Sequence, residues 1–142
     1  MSNPDPSSDD ADARDLPTDP AALARSYFDA FGTGDPALIA SHVSHDFSNE
    51  HTAALGSGCQ GRHTYLERLP GFLADMADLR YSIDHLVADG GSLAVFYTMT
   101  ARWQGTTPIE IQGAQRLEVV DGRIVRRVDY WDSKVFLDQI GD

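Results

Sequence analysis

Apolar and polar residues alternate in four long runs in the second half of the chain, and this alternation constrains the fold more than any other feature. The runs cover about 79–87, 92–104, 108–120 and 123–131. They are separated by Asp89-Gly90-Gly91, Gln104-Gly105 and Asp121-Gly122. These short segments are typical of tight hairpin turns. A period of two residues interrupted by such turns predicts a meander of long antiparallel strands.

The first half of the chain carries helical signals instead. Asp-Pro occurs at 19–20 and again at 35–36, a pattern typical of an N-cap followed by proline in the first turn. Apolar residues at helical spacing predict helices over about 20–31, 36–43 and 65–76, and Pro70 is expected to distort the third. A first strand is expected over about 47–54, a loop over 56–61 and a terminal helix over 133–140.

This order of elements predicts an α+β fold. We expect a cone-shaped α+β barrel in which three N-terminal helices pack on a strongly curved, mixed or antiparallel sheet. Such a sheet, wrapped around a helix, would leave a conical cavity at one end. The chain has 142 residues, which suits one domain with a sizeable core.

Charge and composition limit the possible partners. The first 19 residues hold six aspartates, one arginine and few apolar groups, so we expect residues 1–19 to form a disordered acidic tail before a single domain over 20–142. The net charge of −11 argues against binding to nucleic acid or anionic membranes. No signal peptide or apolar run of about 20 residues occurs, and Cys59 is the only cysteine, so a cytoplasmic protein is expected.

The segment RRVDYWD at 126–132 places two carboxylates close together. Alternation along a strand puts Arg127, Asp129 and Trp131 on one face, whereas Asp132 belongs to the other. The two aspartates therefore cannot flank one substrate. Asp132 stands where the strand gives way to the terminal helix, and we expect it to cap that helix.

Asp129 has two interpretations from its spacing alone. A carboxylate facing an apolar pocket is a candidate general acid or base. The alternative is an ion pair with Arg127 that only satisfies both charges. The spacing leaves both open.

The order of elements, together with DGRIVRRVDYWD at 121–132 and the downstream FLDQIGD, resembles the nuclear-transport-factor-two-like superfamily. Within it, the chain is similar to SnoaL-like polyketide cyclases, ketosteroid isomerases and limonene epoxide hydrolases over about residues 20–140. In polyketide cyclases of this type an aspartate on the last strand is the acid–base group, and Asp129 falls at that position. The resemblance implies a cofactor-free cyclase, isomerase or lyase acting on a hydrophobic carbonyl compound.

The same resemblance suggests which residues would complete the site. Asn49 and His51 share a face of the first strand and would act beside Asp129 as polar catalytic groups. Residues expected to contact the substrate are Gln115, Trp131, Phe47, Phe72, Met76 and Met99. No metal or cofactor is expected, because His42 and His45 lack carboxylate ligands at firm spacing.

The epoxide hydrolase pattern is incomplete in this chain. FSNEH at 47–51 matches it at Asn49, but Phe47 stands where a tyrosine hydroxyl is expected. Met99 and Ala101 occupy the places of the Arg and Asp that activate water. The base of ketosteroid isomerases is not matched either, since the nearest acid, Glu50, faces away from Asn49 and His51.

Two other functions remain open at this stage. The chain could be a non-catalytic binder of hydrophobic small molecules with Asp129 neutralised by Arg127, or a module that forms a homodimer through its open sheet face. Tyr97 and Trp103, which share a strand face, could belong to a pocket or to such an interface.

Overall fold

The computed structural model describes residues 16–141, and within that range the protein has four helices and six strands. The helices are α1 (Pro20–Phe31), α2 (Pro36–Ala40), α3 (Arg62–Asp75) and α4 (Ser133–Ile140). The strands are β1 (Val43–His51), β2 (Cys59–Gln60), β3 (Met76–Asp89), β4 (Ser92–Trp103), β5 (Thr107–Val120) and β6 (Arg123–Tyr130).

The two helix starts predicted from the Asp-Pro pairs are confirmed. The Asp19 carboxylate accepts a hydrogen bond from the Ala22 amide, and Asp35 accepts from the amides of Ala37 and Leu38. A proline follows each cap in the first turn, where its missing N–H costs nothing. Asp132 likewise caps α4 by accepting from the Lys134 amide, as its position at the strand end predicted.

The strands form one sheet in the order β2-β1-β6-β5-β4-β3. The β1 and β6 strands run parallel, and every other neighbouring pair is antiparallel. The α+β class, the curved sheet and the C-terminal meander are therefore as predicted. The parallel pair brings the first and last strands of the chain side by side, so that His51 lies opposite Asp129.

The three N-terminal helices fit the expectation only roughly, since α1 and α2 precede β1 whereas α3 lies between β2 and β3. Two local assignments were wrong. Val43 begins β1 rather than ending the second helix, because its side chain is fully buried in the sheet core. Cys59 and Gln60 are not loop residues but pair with β1.

The helix α1 fills the concave side of the sheet. Its apolar stripe is buried. Tyr27 packs edge-to-face on Phe28 and Phe31, and each of these phenylalanines packs edge-to-face on Tyr81 of β3. Burying each of these large side chains stabilises the domain by about 1.5–3 kcal/mol. Because α1 covers only part of the concave face, the remainder is left to form a cavity.

Most of the predicted acidic tail lies outside the described residues. Within the part that is described, Leu16 packs against the core and Asp19 caps α1. Among residues 16–141, no helix has the length and apolar character needed to span a bilayer.

Candidate active site

A cavity of about 480 Å³ opens between the uncovered part of the sheet, α3, α4 and the segment 52–58. Its wall is mainly apolar and aromatic. The apolar and aromatic lining residues include Phe31, Leu55, Tyr65, Leu69, Phe72, Met76, Tyr81, Tyr97, Met99, Trp103, Ile111, Trp131 and Phe136. Polar side chains reach it mainly from β1, β6 and α3. This is the usual composition of a small-molecule site.

Asp129 lies in this wall and is 4% exposed. Its Oδ1 accepts a hydrogen bond of 2.7 Å from the Tyr97 hydroxyl, and its Oδ2 accepts one of 3.2 Å from Nη2 of Arg127. The expected cavity position and the alternative ion pair therefore occur together. Both carboxylate oxygens are held by donors, which fixes the orientation of the group.

Arg127 is the buried cation at the base of the cavity. Its Nη1 donates a hydrogen bond of 2.8 Å to Oδ1 of Asn49, while its Nε has no partner among the described residues. Burial works against the charge of Arg127, but the neighbouring Asp129 carboxylate offsets this effect and holds the pKa of Arg127 above its usual range. The guanidinium is therefore charged at every ordinary pH.

Three tyrosines of the cavity wall are kept neutral by their surroundings. Burial raises the pKa of Tyr65, Tyr81 and Tyr97, and the Asp129 carboxylate raises that of Tyr97 further. The hydroxyl of Tyr65 also hydrogen-bonds that of Tyr27 in the core. These phenols act as hydrogen-bond donors rather than as bases.

The bond between Tyr97 and Asp129 depends on a glycine. Tyr97 lies opposite Gly113 in the β4–β5 pair, and Gly113 has no side chain to block it. A Cβ at Gly113 would lie 2.4 Å from the Tyr97 hydroxyl oxygen. The tyrosine therefore crosses the space above Gly113 to reach β6.

His51 is a neutral histidine with a defined tautomer. Its Nδ1 accepts a hydrogen bond of 3.0 Å from Nε1 of Trp131, and an indole nitrogen can only donate. The proton of the neutral ring must therefore be on Nε2. Burial, followed by the charge of Arg127, lowers the pKa of His51 to about 4, although Asp129 Oδ2 lies 3.9 Å from Nδ1.

Asn49 is oriented by the same kind of argument. A guanidinium has no acceptor, so the Asn49 atom that faces Arg127 must be the oxygen. Its amide nitrogen makes no hydrogen bond to any described residue, and the side chain lines the cavity. Asn49 therefore offers two N–H donors there.

Most of the predicted site residues meet around this cavity. Those that line it are Asp129, Asn49, His51, Trp131, Phe72, Met76 and Met99. Phe47 and Gln115 do not. Phe47 is fully buried against Tyr65, and Gln115 lies opposite Asp129 on β5 but is 1% exposed, with its amide atoms unpartnered among the described residues.

The structure also adds residues that the sequence did not single out. Tyr65, Tyr81 and Arg68 line the cavity. Tyr97 and Trp103, for which the sequence left a pocket or a dimer interface open, also line it. Tyr97 shares its strand face with Met99, a parity signal that could have identified it. Tyr81 lies opposite Met99 on β3, which only the register of the β3–β4 pair reveals.

The other face of the same strands holds a separate ion pair. Glu50 accepts hydrogen bonds from Arg126 at 2.9 and 3.3 Å in a solvent-exposed position. This confirms that Glu50 faces away from Asn49 and His51. Glu50 is therefore an acidic residue of β1 that does not line the cavity.

Solved structures share this architecture. A candidate ketosteroid isomerase from Kribbella flavida DSM 17836 is 31% identical, with a TM-score of 0.64, and the match covers 78% of this chain and 75% of that one. A hypothetical protein of ketosteroid isomerase-like fold from Catenulispora acidiphila DSM 44928, in complex with trimethylamine, is 18% identical with a TM-score of 0.77, covering 84% and 92%. A candidate SnoaL-like polyketide cyclase from Shewanella denitrificans OS-217 is 19% identical with a TM-score of 0.72, covering 83% and 93%.

Sequence comparison assigns the family. No curated protein matches the chain. The profile of the SnoaL-like domain, however, matches residues 24–127, which is more than half of the sequence. That range runs from α1 to Arg127 in the cavity wall. The chain therefore belongs to the SnoaL-like domain family, within the nuclear-transport-factor-two-like fold.

Proposed function

We propose that this protein is a cofactor-independent enzyme that transfers a proton beside the carbonyl group of a hydrophobic small molecule, in cyclase or isomerase chemistry. The observation that carries the proposal is the convergence of one carboxylate and two neutral donors on an apolar cavity. Asp129 supplies the carboxylate, and His51 and Asn49 supply the donors. The family relationship supports the same class of reaction.

In this mechanism Asp129 is the general base. Its carboxylate removes a proton from the carbon next to the substrate carbonyl, and the electrons of the broken C–H bond form an enolate. The hydrogen bonds from Tyr97 and Arg127 keep the carboxylate aimed in one direction, which reduces the entropic cost of the step. In an isomerisation the proton then returns from Asp129 to a different carbon. In a cyclisation the enolate carbon attacks a second carbonyl of the same molecule, whose π electrons move to its oxygen, and the resulting alkoxide takes the proton back from Asp129.

Asn49 and His51 stabilise the enolate oxygen. The Nε2–H of His51 and the free amide N–H groups of Asn49 are donors that need no proton exchange to act. The low pKa of His51, about 4, keeps the imidazole neutral, so it stabilises negative charge as a hydrogen-bond donor rather than as an acid. Donors fixed in an apolar cavity stabilise developing charge more than the same groups in water.

Hydrogen–deuterium exchange tests the proton transfer without knowledge of the natural substrate. 2-Tetralone, a bicyclic ketone with exchangeable hydrogens, is incubated in D₂O with the protein, and deuterium incorporation is followed by NMR. We expect exchange above the buffer rate, and a loss of about 100-fold or more in Asp129→Asn. Glu50→Gln is the matched control, because it changes an acid to an amide on the opposite face of the sheet.

Equal exchange by the wild type and Asp129→Asn would contradict the assignment of the base. Exchange that falls equally in Asp129→Asn and Glu50→Gln would point to an effect of net charge rather than of the cavity. Circular dichroism of each variant establishes that it is folded before rates are compared.

A second function, ligand binding without chemistry, is favoured by one observation. Nη2 of Arg127 lies 3.2 Å from Oδ2 of Asp129 and neutralises its charge. A buried ion pair of this kind can have a purely structural role. In that case 2-tetralone or a related ketone would bind, as measured by calorimetry, with no exchange above the buffer rate. The same samples therefore discriminate the two functions.

A further inference from the structure

Arg68 is the cation at the mouth of the cavity. It lies on the exposed side of α3 and lines the opening together with Leu55, which is 51% exposed, and Ser57. The other charged side chains of the lining, Arg127 and Asp129, pair with each other. Arg68 therefore gives the cavity entrance a net positive charge in a chain whose overall charge is −11.

Only one side of the Arg68 guanidinium is used by the protein. Its Nη1 donates to the carbonyl oxygen of Gly58 at 2.7 Å and to Oγ of Ser57 at 3.2 Å. Within residues 16–141 its Nε and Nη2 make no hydrogen bond, and the guanidinium makes no ion pair. The neighbouring acid on the helix, Glu67, faces His63 instead, at 3.4 Å.

The free edge has the geometry of a carboxylate site. Nε–H and one Nη2–H of an arginine point in parallel and form two hydrogen bonds to the two oxygens of a carboxylate. The bonds of Nη1 to 57–58 hold the guanidinium in place, so little side-chain entropy is lost when a ligand binds. A single cation also matches a monoanion better than a doubly charged phosphate.

We propose that the ligand of this cavity is an amphipathic carboxylic acid whose carboxylate pairs with Arg68 while its apolar body fills the cavity. This inference rests on the proposed function for the carbonyl group, which would lie at Asp129, His51 and Asn49. The substrate class is then a hydrophobic keto acid. The net negative charge of the rest of the protein repels anions. The positive charge of Arg68 is therefore what would attract such an anion to the cavity entrance.

Binding of a matched ligand pair tests the proposal. The probes are 4-oxo-4-phenylbutanoic acid and its methyl ester, which share a ketone and a phenyl group and differ in charge. Calorimetry at low salt is expected to show the acid binding about tenfold more tightly than the ester to the wild type, as expected for a charge-assisted hydrogen bond. The preference should shrink as salt rises, because the Debye length falls from about 30 Å at 0.01 M to about 10 Å at 0.1 M.

Variants of Arg68 distinguish binding of the ligand carboxylate from a structural role in holding the segment 52–58. Arg68→Gln keeps a donor for the carbonyl of Gly58 and removes the charge, so the acid-to-ester preference should disappear. Arg68→Lys should keep part of it. Arg25→Gln removes one positive charge from the exposed side of α1, outside the cavity, and should leave the preference unchanged.

The proposal is overturned if the wild type binds acid and ester equally, if neither binds, or if Arg68→Gln weakens both by the same factor. The last result would assign Arg68 to holding the segment 52–58 alone. Calorimetry does not depend on turnover. If the wild type prefers the acid over the ester and Arg68→Gln does not, the carboxylate site is supported even when no α-hydrogen exchange is found. If exchange is found but the acid is not preferred, the proposed function is supported and the carboxylate site is not.

Discussion

Replacing Asp129 with asparagine removes a buried charge and leaves the shape of the side chain nearly unchanged. The Asp129 and Arg127 side chains are 5% and 6% exposed, so their pairing takes place away from water. An asparagine can turn Oδ1 toward Arg127 and its amide group toward Tyr97, whose hydroxyl then accepts. Both hydrogen bonds survive in this arrangement, and the variant reports mainly on the lost charge.

The expected cost follows from the burial of the partner. An arginine cannot shed its proton, so Arg127 would remain a buried cation without a counter-charge. Removing one member of a buried pair costs about 3–5 kcal/mol, compared with 0–1 kcal/mol for an exposed pair. Since the hydrogen bonds are retained, we expect Asp129→Asn to lower the free energy of unfolding by about 3 kcal/mol. A domain of this size is stable by about 5–15 kcal/mol, so the variant should still fold.

A double-mutant cycle measures the coupling. Urea unfolding at pH 7, followed by circular dichroism, is compared for wild type, Asp129→Asn, Arg127→Met and the double variant. We expect Arg127→Met to cost less than Asp129→Asn, because a carboxyl group can neutralise itself by binding a proton and a guanidinium cannot. The double variant should recover part of the loss. Glu50→Gln, in the exposed pair with Arg126, should change the stability little.

Two results would refute this reasoning. If Asp129→Asn and Glu50→Gln destabilise the protein equally, burial does not strengthen the pair. If the double variant costs the sum of the two single variants, Asp129 and Arg127 are not energetically coupled despite the 3.2 Å contact.

Four further predictions concern the cavity, the last helix and the assembly. The pKa of His51 is about 4 in the folded protein and about 6.5 when unfolded, so its contribution to stability is complete above pH 6.5 and is lost as the pH falls toward 4; the loss is about 2 kcal/mol after a discount for solvent screening. His51→Asn keeps an acceptor for Trp131, and its urea unfolding should depend less on pH in that range, whereas an unchanged dependence would contradict the shift. Gly113→Ala should destabilise the protein by about 1–3 kcal/mol and slow α-hydrogen exchange by displacing Tyr97, and a crystal structure with Tyr97 unmoved would contradict the clash. Asp132→Ala should cost about 1 kcal/mol by removing the cap of α4, with exchange rates preserved. Homodimer formation stays a prediction, and sedimentation equilibrium that fits a monomer across the concentration range would exclude it.

The faces of single strands could be read from the sequence alone. Side chains alternate along a strand whatever lies next to it, so RRVDYWD already separated Asp129 and Arg127 from Asp132. The capping aspartates were equally legible, because a cap acts within three residues of its own position. Parity along β5 likewise places Gln115 on the buried face of the sheet, together with Ile111 and Leu117.

Depth along the sheet was not contained in the sequence pattern. Parity gives the face of a residue but not its distance from the open end of the cavity. Gln115 and Phe47 therefore face the interior without reaching the cavity, whereas Met99 does. The register between strands sets this distance, and the register depends on turns and on irregularities such as the shift between Val43 and Ser48 in the β1–β6 pair.

The chain by itself determined the class of fold, the caps and the orientation of the one carboxylate in the proposed site. Only the tertiary structure decided which residues surround Asp129. Tyr97 reaches Asp129 across Gly113, Asn49 joins Arg127 from a strand 78 residues away in sequence, and Arg68 stands at the mouth from a separate helix. Periodicity is a local property of the backbone, whereas these contacts arise from curvature and pairing between distant segments. For that reason the sequence did not decide between an ion pair with Arg127 and a position in the cavity wall for Asp129. In the structure Asp129 has both.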